Sequence, residues 1–454
     1  MIREFPVELS IPLTHILNQS FQEGSVPPQW KRAIVVPIPK SNPSVWNQLR
    51  PVSLTDHFAK VAESFITDWL MDDIELQIDD GQFGNRKGRS TTHYLVKLVD
   101  GILKHTDQPN SLSRIIITDF SKAFDRVDHN IAIPKLLNMG ARPALLPWIC
   151  DFLTDRIQCV RYRDILSDWG KLSGGVPQGT LDGPTIFLAL ANDAAVMEDS
   201  NKVALKYVDD LTMVENICVS QQSTIQCDLD SFDQWATENH MNLNPTKCMF
   251  MDITFVKEPP VLPPLRLCGQ DLQSTEVVKI LGIKITNDLR WDVHISDVTK
   301  RASGRLFMLS MLKRHGLCVK DLVTVYVDFI RPLLEYAVPV WHPGLTEKQH
   351  YALERIQKRA CRIMMGTTYS HYKEALITCN IPELKLRRDK ICLDFAKKLY
   401  TSTEFRKWLP KLRSEATGCT LRNAHKMTTP KSRTNRYLRS PISFMTRLCN
   451  NALK

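Results

Sequence analysis

Two kinds of hydrophobic pattern alternate along the chain. Short apolar runs rich in Val and Ile, bounded by proline or acidic residues, predict strands. These runs lie at residues 34–36, 115–117, 203–208 and 211–214. Helical spacing predicts a helix over about Thr55 to Leu70, a helical stretch after the second run through Leu137 to Gly140, and mostly helices beyond Arg301. From about Thr401 the chain is polar and basic, which predicts structure that is irregular in places.

Acidic residues stand at the ends of the predicted strands. Asp119 follows the run at 115–117, and Asp209 and Asp210 separate the last two runs, which predicts a hairpin with two acids at its tip. If these strands are neighbours in one sheet, the three carboxylates converge. Two divalent ions about 4 Å apart are a common solution for in-line attack on a phosphate, and hard cations need oxygen ligands. An Asp-Asp turn in isolation is better explained by the preference of acids for turns, and it is the surrounding pattern that favours a metal site.

The charge is divided unevenly. The formal net charge of +10 combines 29 Lys and Arg against 38 Asp and Glu in residues 1–300 with 30 against 11 in residues 301–454. An acidic part suits divalent metals and a basic part suits a phosphate backbone. The alternative for the basic part is a set of solvated cations on a helical surface.

Composition indicates an ordinary globular protein, with 43% hydrophobic and 24% charged residues. The twelve cysteines form no Cys-x-x-Cys pair and no zinc-finger spacing with His, so reduced thiols in an intracellular protein are expected. The N-terminus resembles no secretory signal, and no run of 18 uninterrupted apolar residues occurs. Secretion and membrane spanning are therefore not expected.

A series of ordered motifs resembles the reverse transcriptases of non-long-terminal-repeat retrotransposons, most closely those of jockey-like elements. Asp119 takes the place of motif A, Gly175–Thr180 that of motif B and Tyr207–Asp210 that of motif C. The other matching segments are Gly24–Lys31, Val36–Lys40, Leu49–Leu54, Gln82–Ser90, Leu243–Lys247 (motif D), Lys279–Gly282 (the start of motif E) and Arg331–Ala337.

The resemblance implies an α+β right-hand polymerase with fingers, palm and thumb and a largely helical, basic C-terminal region. The implied segments are a lead-in at 1–19, fingers and palm at 20–286, a helical thumb-like region at 287–400 and a basic tail at 401–454. The implied activity is RNA-directed DNA polymerisation with two Mg²⁺ ions, for which Mn²⁺ can substitute. An RNA template, a DNA primer or target and dNTPs would be the partners, with no membrane, and nuclear residence would follow from copying at chromosomal DNA. Intact elements of this kind also have an endonuclease domain upstream.

By resemblance, Asp119 and Asp209 would be the principal ligands of both metals. The Phe120 carbonyl would be a further oxygen ligand, and Asp210 would be a neighbouring carboxylate that assists them. Lys247 would donate a proton to the departing pyrophosphate. The alternative for Lys247 is a solvated lysine in a turn after Asn-Pro.

Four further residues would contact the incoming dNTP. Lys40 and Arg50 would reach its triphosphate, Gln178 would touch the nucleotide, and Phe124 would leave no room for a 2′-hydroxyl. The alternative for Lys40 and Arg50 is an ordinary surface cation, and the alternative for Phe124 is an aromatic side chain of the core.

A helix is predicted from Tyr351 to Met365 with one apolar and one cationic face, which suits a thumb lying along duplex phosphates or an ordinary amphipathic helix.

Asp182 departs from the family, which usually has an apolar residue there, and a carboxylate buried without a partner is costly. A catalytically decayed or truncated nucleic-acid-binding remnant is therefore the second function to test. An RNA-dependent RNA polymerase is the third, and Phe124 argues against it.

Overall fold

The computed structural model describes residues 4–39, 49–197, 199–417 and 423–452, with an α+β part up to about residue 286 and a helical part beyond it. The helices of the first part are α1 (Pro6–Glu23), α2 (His57–Ile74), α3 (Thr91–His105), α4 (His129–Asn138), α5 (Leu146–Leu153), α6 (Asp182–Leu190) and α7 (Ile225–Glu238). Its strands are β1 (Arg32–Pro39), β2 (Leu49–Leu54), β3 (Ser111–Thr118), β4 (Ile157–Tyr162), β5 (Ile165–Leu166), β6 (Gly170–Lys171), β7 (Lys202–Tyr207), β8 (Asp210–Cys218), β9 (Met249–Thr254), β10 (Arg266–Leu267), β11 (Gln270–Asp271), β12 (Gln273–Ser274), β13 (Val277–Ile280) and β14 (Ile283–Thr286).

The expected palm is a five-stranded sheet in the order β12-β9-β3-β8-β7, in which β3 is antiparallel to both β8 and β9. Successive side chains of a strand point to opposite faces. Ile115 packs into the core that includes α3 and the helical part, whereas Ile116 packs into the core of α2, α4, α6 and α7, and both are fully buried. Cover on both faces explains why this strand is a continuous apolar run in the sequence.

The expected fingers contain a second sheet in the order β2-β1-β4-β5, with β6 paired to β4. Strand β1 pairs antiparallel with β2 and parallel with β4, which confirms the strand predicted at 34–36. Lys40 lies outside the described residues. After β3 the helical stretch is shorter than predicted, because residues 119–128 form a loop with one 3₁₀ turn at Phe124–Arg126 before α4 begins.

The second part is helical, as predicted. Its helices are α8 (Asp292–Arg314), α9 (Val319–Val325), α10 (Arg331–Glu335), α11 (Val338–Trp341), α12 (Glu347–Met365), α13 (Tyr372–Thr378), α14 (Leu384–Thr401), α15 (Arg413–Thr417), α16 (Asn435–Leu438) and α17 (Pro441–Ala452). None of the helices in the described segments is long and apolar enough to cross a lipid bilayer.

Helix α12 has the two faces that its sequence predicts. It begins at a capping box, in which the side chains of Thr346 and Gln349 each accept the other residue's N–H, and it ends at Gly366 with φ +59°. The buried face includes Leu353, Ile356 and Ala360. The exposed face includes Arg355, Arg359 and Arg362.

The C-terminal segment packs against α3. The carboxylate of Asp107, just beyond α3, accepts the N–H of Arg433 at 2.7 Å and that of Thr434 at 2.8 Å. Asp100 on α3 accepts the N–H of Ile442, at the start of α17, at 2.9 Å. These bonds seat α17 against α3, so residues 423–452 of the basic tail are folded as part of the molecule.

Candidate active site

Strand register brings the predicted acids together. Thr118 at the end of β3 pairs with Leu211 of β8, so Asp119 and Asp210 occupy adjacent positions at one edge of the sheet. Strands β7 and β8 join through a two-residue turn, because Tyr207 pairs directly with Asp210. The predicted hairpin is thus confirmed in a slightly different register: Asp209 lies in the turn, and Asp210 is the first residue of β8.

The first turn residue, Val208, has φ +58°, a left-handed conformation that is unfavourable for a β-branched side chain. A neighbouring segment fixes it. The Val208 N–H donates to Oε1 of the buried Gln82 at 3.1 Å, and a Cβ at Gly84 would lie 2.5 Å from the same nitrogen. Only glycine can therefore let this segment approach the turn so closely.

The carboxylates also interact electrostatically. Desolvation and the negative charges of Asp209 and Asp119 raise the pKa of Asp210 to about 6. The Asp210 side chain is nevertheless accessible to solvent, so it is open to a ligand. A cation bound here would relieve the repulsion among the three acids.

The loop before β9 holds Asp119 in place. The Asp119 carbonyl accepts the N–H of Asn244 at 2.8 Å, and the Asp119 N–H donates to the Cys248 sulfur at 3.3 Å. Nζ of Lys247 lies 3.3 Å from Oδ2 of Asp119, so the predicted proton donor and a predicted metal ligand form an ion pair at the surface. Burial raises the pKa of the Cys248 thiol to about 11, which keeps it a neutral hydrogen-bonding partner.

The bridge between Phe120 and Leu243 orients a further oxygen. Its two hydrogen bonds run from the Ser121 N–H to the Asn242 carbonyl and from the Asn244 N–H to the Asp119 carbonyl. In this non-hydrogen-bonded type of antiparallel pair, the Phe120 carbonyl points away from Leu243.

The donor set of three carboxylates and a backbone carbonyl suits Mg²⁺, which prefers hard oxygen ligands. In the described part of the chain, no three His, Cys, Asp or Glu side chains are close enough together to make a ready-formed metal cage. The oxygen donors therefore fit the ion chemically, and the carboxylates have to approach one another to share it.

The predicted nucleotide residues are arranged around motif B. Phe124 is half-buried, with its ring centroid 5.2 Å from that of Phe187, and its carbonyl accepts the Val176 N–H at 2.8 Å. Nε2 of Gln178 donates to Asp125 at 3.3 Å. These contacts place Phe124 and Gln178 on the same side of the fold.

A backbone hydrogen bond joins β2 to the motif B loop. The Ser53 N–H of β2 donates to the Gln178 carbonyl at 2.7 Å, and a Cβ at Gly179, which has φ +123°, would lie 2.7 Å from the Ser53 carbonyl oxygen. Arg50 is exposed on the same strand as Ser53. The fingers strand that includes Arg50 is therefore tied to the loop that includes Gln178.

Asp182 is buried, with only 1% of its surface exposed. Its Oδ1 accepts the Thr67 hydroxyl, whereas Oδ2 has no hydrogen-bond partner among the described residues. Burial raises the pKa of Asp182 well above its usual value. The hydrogen bond from Thr67 opposes this rise, and the negative charge of Glu63 adds to it. Burial also raises the pKa of Glu63. The carboxylate that departs from the family pattern thus has one partner and a local environment that favours its neutral form.

A family model described as "Reverse transcriptase (RNA-dependent DNA polymerase)" matches residues 38–285, more than half of the chain. The chain belongs to the reverse transcriptase family. This confirms the resemblance to reverse transcriptases seen in the motifs and the α+β right-hand polymerase class.

Two relatives of this reverse transcriptase come from mobile elements of Drosophila melanogaster. It is 28% identical over 386 residues to "Probable RNA-directed DNA polymerase from transposon BS", covering 81% of the chain and 42% of that protein. It is 27% identical over 418 residues to "RNA-directed DNA polymerase from mobile element jockey", covering 88% and 44%. The chain thus spans about two-fifths of the length of these curated relatives. Apo telomerase from Candida tropicalis is a similar solved structure, with a TM-score of 0.44 and 11% identity over 88% of this chain and 73% of that chain.

Two residues that contact the backbone of the site were not singled out in the sequence. Gln82 lies inside the segment Gln82–Ser90 that matches the family, and this match is the sequence signal that could have identified it. Cys248 follows Lys247 directly but otherwise reads as an ordinary buried thiol. Their importance depends on contacts 126 and 129 residues away along the chain, to Val208 and Asp119.

Proposed function

We propose that this reverse transcriptase is an RNA-directed DNA polymerase of a jockey-like non-LTR retrotransposon, extending a DNA primer on an RNA template with dNTPs. The observation that carries the proposal is the convergence of Asp119, Asp209 and Asp210 at one edge of the palm sheet, with their charges coupled. Such a cluster is the expected site of metal-assisted nucleotidyl transfer. Nuclear residence follows from copying at chromosomal DNA.

Asp119 and Asp209 would hold two Mg²⁺ ions, with Asp210 and the Phe120 carbonyl as further oxygen ligands. When bound, these ions activate the attacking oxygen and stabilise the leaving one. Lys247 would supply a proton to the pyrophosphate side, and its ion pair with Asp119 keeps the ammonium near the reacting groups. Arg50 and Lys40 would bind the triphosphate.

Phe124 would contact the sugar of the incoming nucleotide. Its ring is braced by Phe187, so it cannot retreat easily from a bulkier substrate. Gln178 shares the motif B loop and would contact the same nucleotide. This arrangement supports selection of dNTPs over ribonucleotides.

The helical part would bind the template and primer through phosphates. Helix α12 packs along α8, and Nη1 of Arg359 reaches the Ser303 hydroxyl of α8 at 3.3 Å. The exposed arginines of α12 therefore border a second helix that also carries exposed cations, including Lys300 and Arg301. Clustered basic side chains supply most of the sequence-independent affinity for nucleic acid.

Primer extension tests the proposal directly. The unmutated chain and an Asp209→Ala, Asp210→Ala double variant are compared on a primed RNA template with Mg²⁺ or Mn²⁺. The unmutated chain is expected to synthesise cDNA, and the double variant none. Equal cDNA yield from the two would contradict the polymerase assignment.

The buried carboxylate of Asp182 favours a second candidate function. In this alternative the protein is a remnant that binds nucleic acid but no longer catalyses primer extension. In that case the unmutated chain and the Asp209→Ala, Asp210→Ala variant would both bind the template-primer duplex, as measured by fluorescence anisotropy, while neither extends the primer. Restoring extension with Asp182→Leu would identify the buried carboxylate as the cause.

A further inference from the structure

A buried segment runs alongside the strand that leads into the catalytic turn. The Phe83 N–H donates to the Lys206 carbonyl of β7 at 2.8 Å, and Gln82 forms a parallel bridge with Lys206. The Gln82 side chain is 1% exposed, and its Oε1 accepts the Gly84 N–H at 2.8 Å as well as the Val208 N–H. One amide oxygen thus joins this segment to the turn that contains Asp209.

The Val208 bond acts where the backbone is strained. A β-branched residue at positive φ persists only where its surroundings hold it there. Oε1 of Gln82 is the acceptor for the N–H of that residue, so loss of this oxygen removes a restraint on the residue next to Asp209. Displacing a reacting group by about 1 Å can reduce turnover on the order of a hundredfold.

Arg89 connects Gln82 to the C-terminal region. Its side chain is 2% exposed, and Nη1 donates to the Gln82 carbonyl at 2.8 Å and to the Asp80 carbonyl at 2.9 Å. The same guanidinium forms an ion pair with Glu404, which follows α14. The same guanidinium also pairs with the Asp80 carboxylate at 3.4 Å. A cation buried to this degree needs such partners, so Glu404, together with Asp80, stabilises the segment that contains Gln82.

Aromatic contacts reinforce this connection. The ring of Phe83 lies 6.1 Å from that of Trp408, and the Arg89 guanidinium lies 5.4 Å above Phe83. Nζ of Lys407 lies 3.4 Å from the Asp80 carboxylate. Residues 404–408 therefore contact the segment at residues 80–89, which includes Gln82, through an ion pair, an aromatic pair and a surface charge pair.

We propose that Gln82 is a positioning residue for nucleotidyl transfer, and that residues 404–408 hold the segment from which it acts. The assignment rests on the proposed polymerase function for its kinetic consequence. Gln82 contacts no reacting atom. It fixes the backbone of the turn that presents Asp209, so the C-terminal region contributes to the geometry of the metal-binding acids.

Gln82→Met, which keeps the shape of the side chain and removes the acceptor, tests the first half. Gln357→Met is the matched control, since Gln357 is also fully buried and hydrogen-bonded but lies in α12. Both variants are expected to melt at lower temperature. Only Gln82→Met should lose turnover, by about 10- to 100-fold in kcat, with KM for dNTP changed less than threefold and Mn²⁺ bound several-fold more weakly. Unchanged kcat in Gln82→Met, or an equal loss in Gln357→Met, would overturn the assignment.

Metal binding separates this inference from the polymerase proposal. If the unmutated chain extends no primer, the polymerase proposal fails, and the two variants are then compared by Mn²⁺ binding alone. Weaker Mn²⁺ binding in Gln82→Met than in the unmutated chain would still support a positioning role. Equal affinities, or no Mn²⁺ bound by either, would contradict it.

Trp408→Ala combined with Glu404→Gln tests the second half. This double variant should reduce kcat and Mn²⁺ affinity in the same direction as Gln82→Met, and combining it with Gln82→Met should give less than the product of the two losses. Glu415→Gln is the control, because Glu415 pairs with Arg406 in the same region and its pairing involves neither Gln82 nor Arg89. A loss of stability without a change in kcat or Mn²⁺ affinity would show that residues 404–408 are merely structural.

Discussion

Nζ of Lys247 lies 3.3 Å from Oδ2 of Asp119, and both side chains are well exposed, at 63% and 39%. An exposed ion pair of this kind adds little stability. Its significance is chemical, because the same carboxylate is a proposed metal ligand. A bound cation and the Lys247 ammonium compete for Asp119, so the lysine is expected to move towards the leaving group once a metal is bound.

Lys247→Met separates the two roles of this lysine. If it donates a proton to pyrophosphate, kcat falls by about a hundredfold, in the range typical of general acid catalysis. If it only balances the charge of Asp119, kcat stays the same and the Mg²⁺ concentration needed for half-maximal rate falls. Lys104→Met, at an exposed position on α3, is the control and should change neither parameter.

Phe124→Ala should relax discrimination against ribonucleotides. The half-buried ring is braced by Phe187, so its removal opens space beside the sugar. The ratio of kcat/KM for dCTP to that for CTP is expected to fall by at least about tenfold, equivalent to roughly 1.4 kcal/mol. Phe65→Ala, which removes an exposed aromatic from α2, should leave the ratio unchanged. An unaltered ratio in Phe124→Ala would remove the steric assignment.

Local patterns in the sequence predicted the strands and the acids well. The run at Ile115–Ile117 is continuously apolar because both faces of the sheet are covered, and Asp119 stands where that strand ends. The turn at Asp209 was predicted from flanking apolar runs, although Asp210 belongs to β8. Periodicity extended the helix after β3 too far, because residues 119–128 make backbone bonds to the loops at 174–176 and 242–244 instead.

Long-range contacts were beyond the reach of the sequence. The Gln82 side chain accepts a hydrogen bond from Val208, and Glu404 pairs with Arg89, across separations that no local pattern encodes. The basic tail was predicted as irregular in places from its composition. Its ordered α17 depends on acceptors such as Asp100, on a helix that precedes it by more than 300 residues.

Metal affinity should depend on pH through Asp210. Its pKa of about 6 lies in the range where protons compete with the cation for the carboxylate. Mn²⁺ affinity is therefore expected to fall about tenfold between pH 8 and pH 5, since about one molecule in ten keeps Asp210 ionised one unit below its pKa. Electron paramagnetic resonance of free Mn²⁺ measures this.

Asp210→Asn supplies the control for the pH dependence. It should bind Mn²⁺ more weakly at pH 8 and lose the decline between pH 8 and pH 5. A decline of the same size in the variant would assign the titration to another group.

Asp182→Asn should change the dependence of folding stability on pH. The folded protein raises the pKa of Asp182 above its unfolded value of 3.8, so folding takes up a proton between the two values. Stability from this group is fully present below pH 3.8 and declines as pH rises, by about 1.4 kcal/mol per pH unit in the limiting case. Asn keeps an acceptor for Thr67 and cannot ionise, so the gain in stability over the unmutated chain should grow from pH 5 to pH 8.

Urea unfolding at several pH values measures that gain, with Asp168→Asn at an exposed position as the control. A shallower decline remains in Asp182→Asn, because the pKa of Glu63 is raised in the same core. If the free energy of unfolding of the unmutated chain and of Asp182→Asn changed in parallel with pH, the Asp182 carboxylate would have to be ionised and stabilised in the fold. Its departure from the family would then be fully compensated, and Asp182→Leu would not be expected to improve either stability or primer extension.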